Sequence, residues 1–239
     1  MLHKWILSAV ALPVSVLLVS PEAKALTIGA AEFTCPLTNE KFVAQSVASG
    51  TSFGARLDLR RIGPIASPWP LVKCPDSGLP LFERDFSPET VAYLKAYTAT
   101  EEYRKLRAEH ADYYVTAKLQ SGLGYAPDKI MFSILSAAWE VEGKNAALEK
   151  IYLTEAREHI LALLQAMPHS EERWPTYYFL SVELSRRLGM FDEADNRLKA
   201  ERARLAGSIP ADFMELQAKL IETRETKPDA PYYHRQTKN

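Results

Sequence analysis

TYYFLSVELSRRLGMFDEADNRLKAERARL, residues Thr176 to Leu205, is the stretch that fixes the architecture. Leu180, Leu184 and Leu188 recur every four residues, which keeps them on one face of a helix, and Gly189 then supplies a left-handed stop. A second helix follows at once. Asp192 is placed to cap it, Glu193 suits the positive end of its dipole, and Ala194 and Leu198 repeat at i, i+4 as its buried side. The stretch therefore reads as two antiparallel helices joined by a tight turn at residues 188–192.

Working outward, residues 87–225 form a helical body. Ser87-Pro88-Glu89 opens it as N-cap, first-turn proline and first-turn acid, with Val91, Leu94 and Thr98 inward. Glu101 to Leu119 reads as one helix carrying Tyr103, Leu106, Tyr113, Tyr114 and Ala117, broken at Ser121-Gly-Leu-Gly124. That Gly-x-Gly is a helix stop rather than a phosphate loop, because no strand precedes it and no Walker lysine follows. Asp128 caps a helix from Ile130 to Val141, and Gly143 ends it. Asn145 to Met167 is the longest helix, with Leu148, Ile151, Tyr152, Ala156, Ile160, Leu163 and Leu164 as its apolar stripe, and Pro168 stops it. Trp174-Pro175 starts the central hairpin. A last helix, Ala211 to about Arg224, buries Phe213, Leu216, Leu220 and Ile221, and the polar tail 226–239 is expected to be mobile.

Leu188-Gly-Met-Phe-Asp-Glu-Ala194 resembles the turn between the helices of a tetratricopeptide repeat, where Gly permits the turn and a small Ala lets the helices approach. The expected fold class is mainly α: tetratricopeptide-like antiparallel hairpins behind a small N-terminal head of strands and loops, residues 26–86.

Composition excludes some functions. Of 239 residues, 29 are basic and 30 acidic, a net charge of -1, which gives no footprint for nucleic acid or anionic lipid. The chain opens with Met1-Leu-His-Lys4, an apolar run from Trp5 to Val19, and Ala23-Lys24-Ala25, the three parts of a secretory signal peptide. The run is shorter than a spanning helix and contains Pro13. Residues 1–25 are expected to be cleaved near Ala25, leaving a mature chain without a transmembrane helix in the periplasm or outside the cell.

The head holds both cysteines. Cys35-Pro-Leu-Thr38 precedes a short strand, Lys41 to Val47, and Cys74-Pro-Asp-Ser77-Gly78 forms a second knuckle. Two Cys-Pro-x-Cys knuckles are how a zinc ribbon presents four thiolates to one ion. Thr38 and Ser77 stand where the second thiolates belong, and a neutral hydroxyl is a poor zinc ligand. No metal or cofactor is expected. In a ribbon the first cysteines of the two knuckles face each other, so in an oxidising compartment the expectation is a Cys35–Cys74 disulfide, contributing about 3 to 4 kcal/mol. Two free buried thiols are the alternative; a redox-active pair lacks its Cys-x-x-Cys.

The order of elements resembles the bacterial domain-of-unknown-function family 2225, over roughly Thr34 to Leu205. The residues that carry the likeness are Cys35-Pro, Arg56-Leu-Asp58-Leu59, Cys74-Pro with Gly78, Ser136-Ala-Ala-Trp139 and Glu183-Leu-Ser-Arg-Arg-Leu-Gly189. The resemblance implies the head-plus-helices fold. The lost cysteines and the leader set this chain apart from that pattern.

No catalytic motif stands out. His159 and Glu155 share a helix face at i, i+4, for which a solvated surface contact is the plainer reading. The aromatics Tyr113, Tyr114, Trp139, Tyr152, Trp174, Tyr177, Tyr178 and Phe179 read mostly as core, with a groove lining as the alternative. Arg186 and Arg187 either complement the helix C-terminus or meet a partner's carboxylate, and they are the candidate partner-binding residues. These observations favour a secreted or periplasmic scaffold that binds a protein or peptide. The alternative is a cell-envelope enzyme, such as a hydrolase, with its site between head and helices.

Overall fold

The structure is a computed structural model that describes residues 26–236; the expected leader, residues 1–25, lies outside the described residues. The head opens with an antiparallel hairpin, β1 (Leu26–Thr34) and β2 (Lys41–Gly50), followed by a two-residue pair, β3 (Gly54–Ala55) and β4 (Arg61–Ile62). Helices follow in chain order: α1 (Pro88–Thr98), α2 (Glu101–Glu109), α3 (Asp112–Gly122), α4 (Pro127–Val141), α5 (Ala146–Ala166), α6 (Trp174–Arg187), α7 (Phe191–Leu205), α8 (Ala211–Glu222) and α9 (Pro231–Gln236). The protein is mainly helical, as its periodicity implies.

Cys35 and Cys74 are joined by a disulfide, their Cα atoms 5.3 Å apart. The two knuckles repeat one hydrogen-bond pattern. Cys35 N–H donates to the Glu40 carbonyl and Cys74 N–H to the Leu79 carbonyl, each at 2.9 Å, while Asn39 and Gly78 donate back to Cys35 and Cys74. Asn39 and Gly78, four residues after each cysteine, both have positive φ, 60° and 63°. The head does not close a core alone. Cys35, Leu37, Cys74 and Leu79 pack with Leu94 of α1, Tyr103 of α2, and Val115 and Leu119 of α3.

Helices α3 to α8 stack as antiparallel neighbours. A first core gathers Ala117, Met131, Leu135, Ala138, Tyr152, Ala156, Leu180 and Leu184 from α3 to α6. A second gathers Phe179, Val182, Ala194, Leu198, Leu216 and Leu220 from α6 to α8, with Leu57 of the head. Helix α6 serves both, and residues 179–187 are all buried. It ends as the sequence requires: Gly189 sits at φ 78°, its N–H bonds the Arg186 carbonyl, and Met190 N–H bonds the Ser185 carbonyl. These paired bonds satisfy carbonyls that the helix end would otherwise leave open.

Four expectations are corrected. The helix read as Glu101 to Leu119 is two, because His110 is extended (φ −128°, ψ 161°) and other groups take up the N–H groups at the restart. Tyr152 Oη accepts from Ala111 N–H at 3.1 Å, and the Glu140 carboxylate accepts from Asp112 and Tyr113. Asp128 and Asp192 lie within the first turns of α4 and α7, after Ala126 and Met190, rather than at the caps. The head has a strand, β1, ahead of the one read at Lys41 to Val47. The tail from Thr226 is not loose over its described length. Ala230 is fully buried, α9 follows, and the Asp229 carbonyl accepts from Leu57 N–H at 3.0 Å.

Candidate functional site

The loop between β3 and β4 delivers charge into the helical stack. Arg56 N–H bonds the Arg60 carbonyl at 2.9 Å and Leu59 takes φ 72°, so the loop turns tightly and presents Asp58 inward. Asp58 is completely buried and accepts from five donors: Arg56 Nε and Nη2 (3.0 and 2.6 Å), Arg187 Nη1 (2.6 Å), Trp139 Nε1 (3.0 Å) and Arg60 N–H (3.2 Å). Glu142, just past α4, accepts from Arg56 (2.7 and 2.8 Å), Arg60 (2.9 Å) and Arg187 (3.1 Å). Glu149 of α5 accepts from Arg187 at 2.6 Å. Burial opposes the charge on Asp58 and Glu142, but the Arg56 hydrogen bonds and the surrounding guanidinium charges outweigh it and hold both carboxyls below their usual range.

Three guanidiniums thus meet three carboxylates. A cluster with a buried centre, a half-buried rim and balanced charges holds elements together. It gathers residues from the loop motif 56–59, Trp139 of the α4 motif and Arg187 of the α6 motif, segments far apart in the chain.

Arg186 and Arg187, read as complementing the helix C-terminus or as candidate partner-binding residues, both meet this chain's own groups. Arg186 is fully buried, donates to Glu183 at 2.9 and 2.7 Å, and clamps the carbonyls of Glu225 and, at 3.1 Å, Lys227. The reason is that α6 lies at the centre of the stack, with residues 179–187 buried. Burial pushes the Glu183 carboxyl upward against the pull of Arg186.

Among the concave surfaces of the described residues are two that hold residues singled out by the sequence. The larger, about 980 Å³, runs along the outer face of α5 beside Lys118 of α3. Ala147, Ile151, Thr154, Glu158, His159 and Ala162 line it, and Ile151 is 49% exposed. Glu155 does not pair with His159. It reaches across to Lys118 at 2.5 Å and Tyr114 Oη at 2.7 Å. The smaller, about 320 Å³, lies between the head segment 67–71 and helices α3 and α4, and includes Arg60, Asp112, Tyr113, Trp139, Glu140 and Lys144. Of the aromatics in the body, Tyr114, Tyr152, Trp174, Tyr177 and Phe179 are core, while Tyr113 and Trp139 reach this cleft.

Thr38 and Ser77 have a structural task where a ribbon would have thiolates. Each hydroxyl accepts from the N–H two residues on, Glu40 at 3.3 Å and Leu79 at 3.2 Å. Among the described residues no group of three or more His, Cys, Asp or Glu side chains is placed to hold a metal, and no helix is long and apolar enough to cross a membrane. No protein family matches the chain, and no curated protein or solved structure does either.

The sequence reading missed Glu142, Glu149 and Glu140. Glu142 carried one signal: it sits between Val141 and Gly143, where a helix ends and its side chain can turn back toward the head.

Proposed function

We propose that this chain is a secreted or periplasmic helical-repeat scaffold, and that it docks an amphipathic helix of a partner protein along the outer face of α5. The observation that supports this is the groove itself: Ile151 half exposed between Ala147 and Ala162, on the outer face of a long helix whose other side packs in the first core. A solenoid buries one helix surface against its neighbours and offers the other. Lys150 and Glu158 flank the apolar floor eight residues apart, about 12 Å along the helix. The matching partner carries an apolar i, i+4 ridge with an acid opposite Lys150 and a base opposite Glu158, two turns apart. The leader-like residues 1–25 and the disulfide support an oxidising compartment, and the family 2225 likeness rests on the motifs quoted above.

The enzymatic reading has less support. The acids between head and helices are both engaged: Asp112 with Lys73 at 2.8 Å, and Glu140 with the N–H groups that start α3.

Photo-cross-linking in the producing cell tests the scaffold. A benzoylphenylalanine at position 151 is expected to trap one discrete partner, and the same probe at exposed Lys219 of α8 none. Ile151→Glu should abolish capture by a probe at 158. Equal labelling from 151 and 219, or no labelling at 151, would overturn the proposal.

A further inference from the structure

The cleft between head and helices carries a second inference, independent of the α5 groove. Its outer wall is Ser67-Pro-Trp-Pro-Leu71, and the backbone of that wall is held from both sides. Arg60 Nε donates to the Ser67 carbonyl at 2.7 Å, Arg61 N–H bonds Ser67 Oγ at 3.2 Å, and Tyr113 Oη donates to the Trp69 carbonyl at 2.7 Å. The backbone of Trp69 is thus anchored, while the residue is 41% exposed at the cleft edge. Opposite it, Trp139 is fixed through its indole N–H on Asp58. A large flat apolar side chain carried on an anchored backbone and left exposed, beside a second indole fixed in place, is a binding surface largely prepared in advance.

The polar groups of the cleft set the ligand class. Asp112 is neutralised by Lys73, Arg60 by Glu142, and the Glu140 carboxylate lies at the start of α3. No net charge is left to attract an ion. Hydrogen-bonding capacity is left over, however. Arg60 uses Nε and Nη1, Lys144 spends one N–H on the Glu140 carbonyl at 3.0 Å, and each carboxylate oxygen has a further lone pair. Donors and acceptors side by side, beside flat apolar rings, match a molecule with vicinal hydroxyls around one apolar face. At about 320 Å³ the space falls at the small end of ligand pockets.

We propose that this cleft binds a neutral sugar ring, its apolar face against Trp69 and its hydroxyls shared among Asp112, Glu140, Arg60 and Lys144.

Tryptophan indole N–H resonances of the disulfide-bonded protein provide the test, with N-acetylglucosamine and glucose as neutral probes and acetate and phosphate as ionic ones. Saturable shifts of the Trp69 and Trp139 signals by at least one neutral sugar, with a Kd on the order of 1 mM, are expected while Trp174 stays put. Trp69→Ala should weaken binding at least tenfold, followed on Trp139, with the far-ultraviolet spectrum unchanged. Ile151→Glu should leave the sugar response intact, which separates this proposal from the α5 groove. No shift with either sugar, equal binding by Trp69→Ala, or tighter binding of acetate or phosphate at the same resonances would overturn it.

Discussion

Arg187 Nη1 donates to Asp58 Oδ2 at 2.6 Å, joining two buried side chains 129 positions apart. Both are buried in one balanced cluster, so removing either leaves the other's side with a charge not fully compensated. Asp58→Ala and Arg187→Ala are each expected to lower unfolding free energy by about 3 to 5 kcal/mol. The double variant should fall short of the sum, because the second change removes the stranded charge. Denaturant titration of the three proteins measures this, and additive losses would refute the coupling.

Acidification should act in two stages of opposite sign. Burial raises the native pKa values of Glu183 and Glu140 above their ordinary 4.5. In the window between 4.5 and those raised values the native state binds more protons than the unfolded one, so stability rises as pH falls through that window. Asp58 and Glu142 are held below their ordinary 3.8 and 4.5, and their contribution is complete above those values and lost as pH falls further. The stability maximum should therefore lie on the acid side of neutral, followed by a steep loss below about pH 4. Thermal melts across pH 3 to 8 would show it, and Glu183→Gln should flatten the first stage.

The matching knuckles predict a gain of function. Asn39 and Gly78 share a backbone conformation, and Thr38 and Ser77 occupy equivalent places one residue earlier. Thr38→Cys with Ser77→Cys, kept reduced, should retain one Zn²⁺ per chain after gel filtration, with the reduced parent retaining none. Thiolate absorption bands on replacing zinc with Co²⁺ would establish the ligands; an empty double variant would show that the knuckles cannot converge.

Residues 226–236 should matter for stability. Ending the chain at Glu225 removes the Lys227 carbonyl from Arg186 and the Asp229 carbonyl from Leu57 N–H. Two buried donors left short predict a loss of about 2 to 4 kcal/mol by denaturant titration. An unchanged midpoint would show that the segment merely rests on the surface.

The helices were legible wherever burial leaves a one-sided apolar pattern, as at Leu180 and Leu184 or along α5. The break at His110 was not, because Glu140 and Tyr152, distant in the chain, provide the groups that make it favourable. β1 was hidden by Gly29-Ala30-Ala31, residues with little strand preference and no alternation. The pairing of Cys35 with Cys74 followed from equivalent knuckles. Arg186 and Arg187 were misplaced because a charged pair at a helix end reads as surface. Only the positions of Asp58, Glu142 and the 225–229 backbone explain their burial, and local sequence carries no record of those.

The meeting of Leu57 and Asp229 beside α6 changes how the molecule can assemble. Stacked helix pairs ordinarily gain structure one neighbour at a time and tolerate a pair more or less. Here a loop near the beginning and a segment near the end both close on the same central helix, so contacts of long sequence separation seal it. Such contacts slow folding. The array is bound into a ring of dependence: the central helix cannot be fully enclosed until residues 225–229 have been made, and a hairpin inserted or deleted would pull the two closures out of reach of each other.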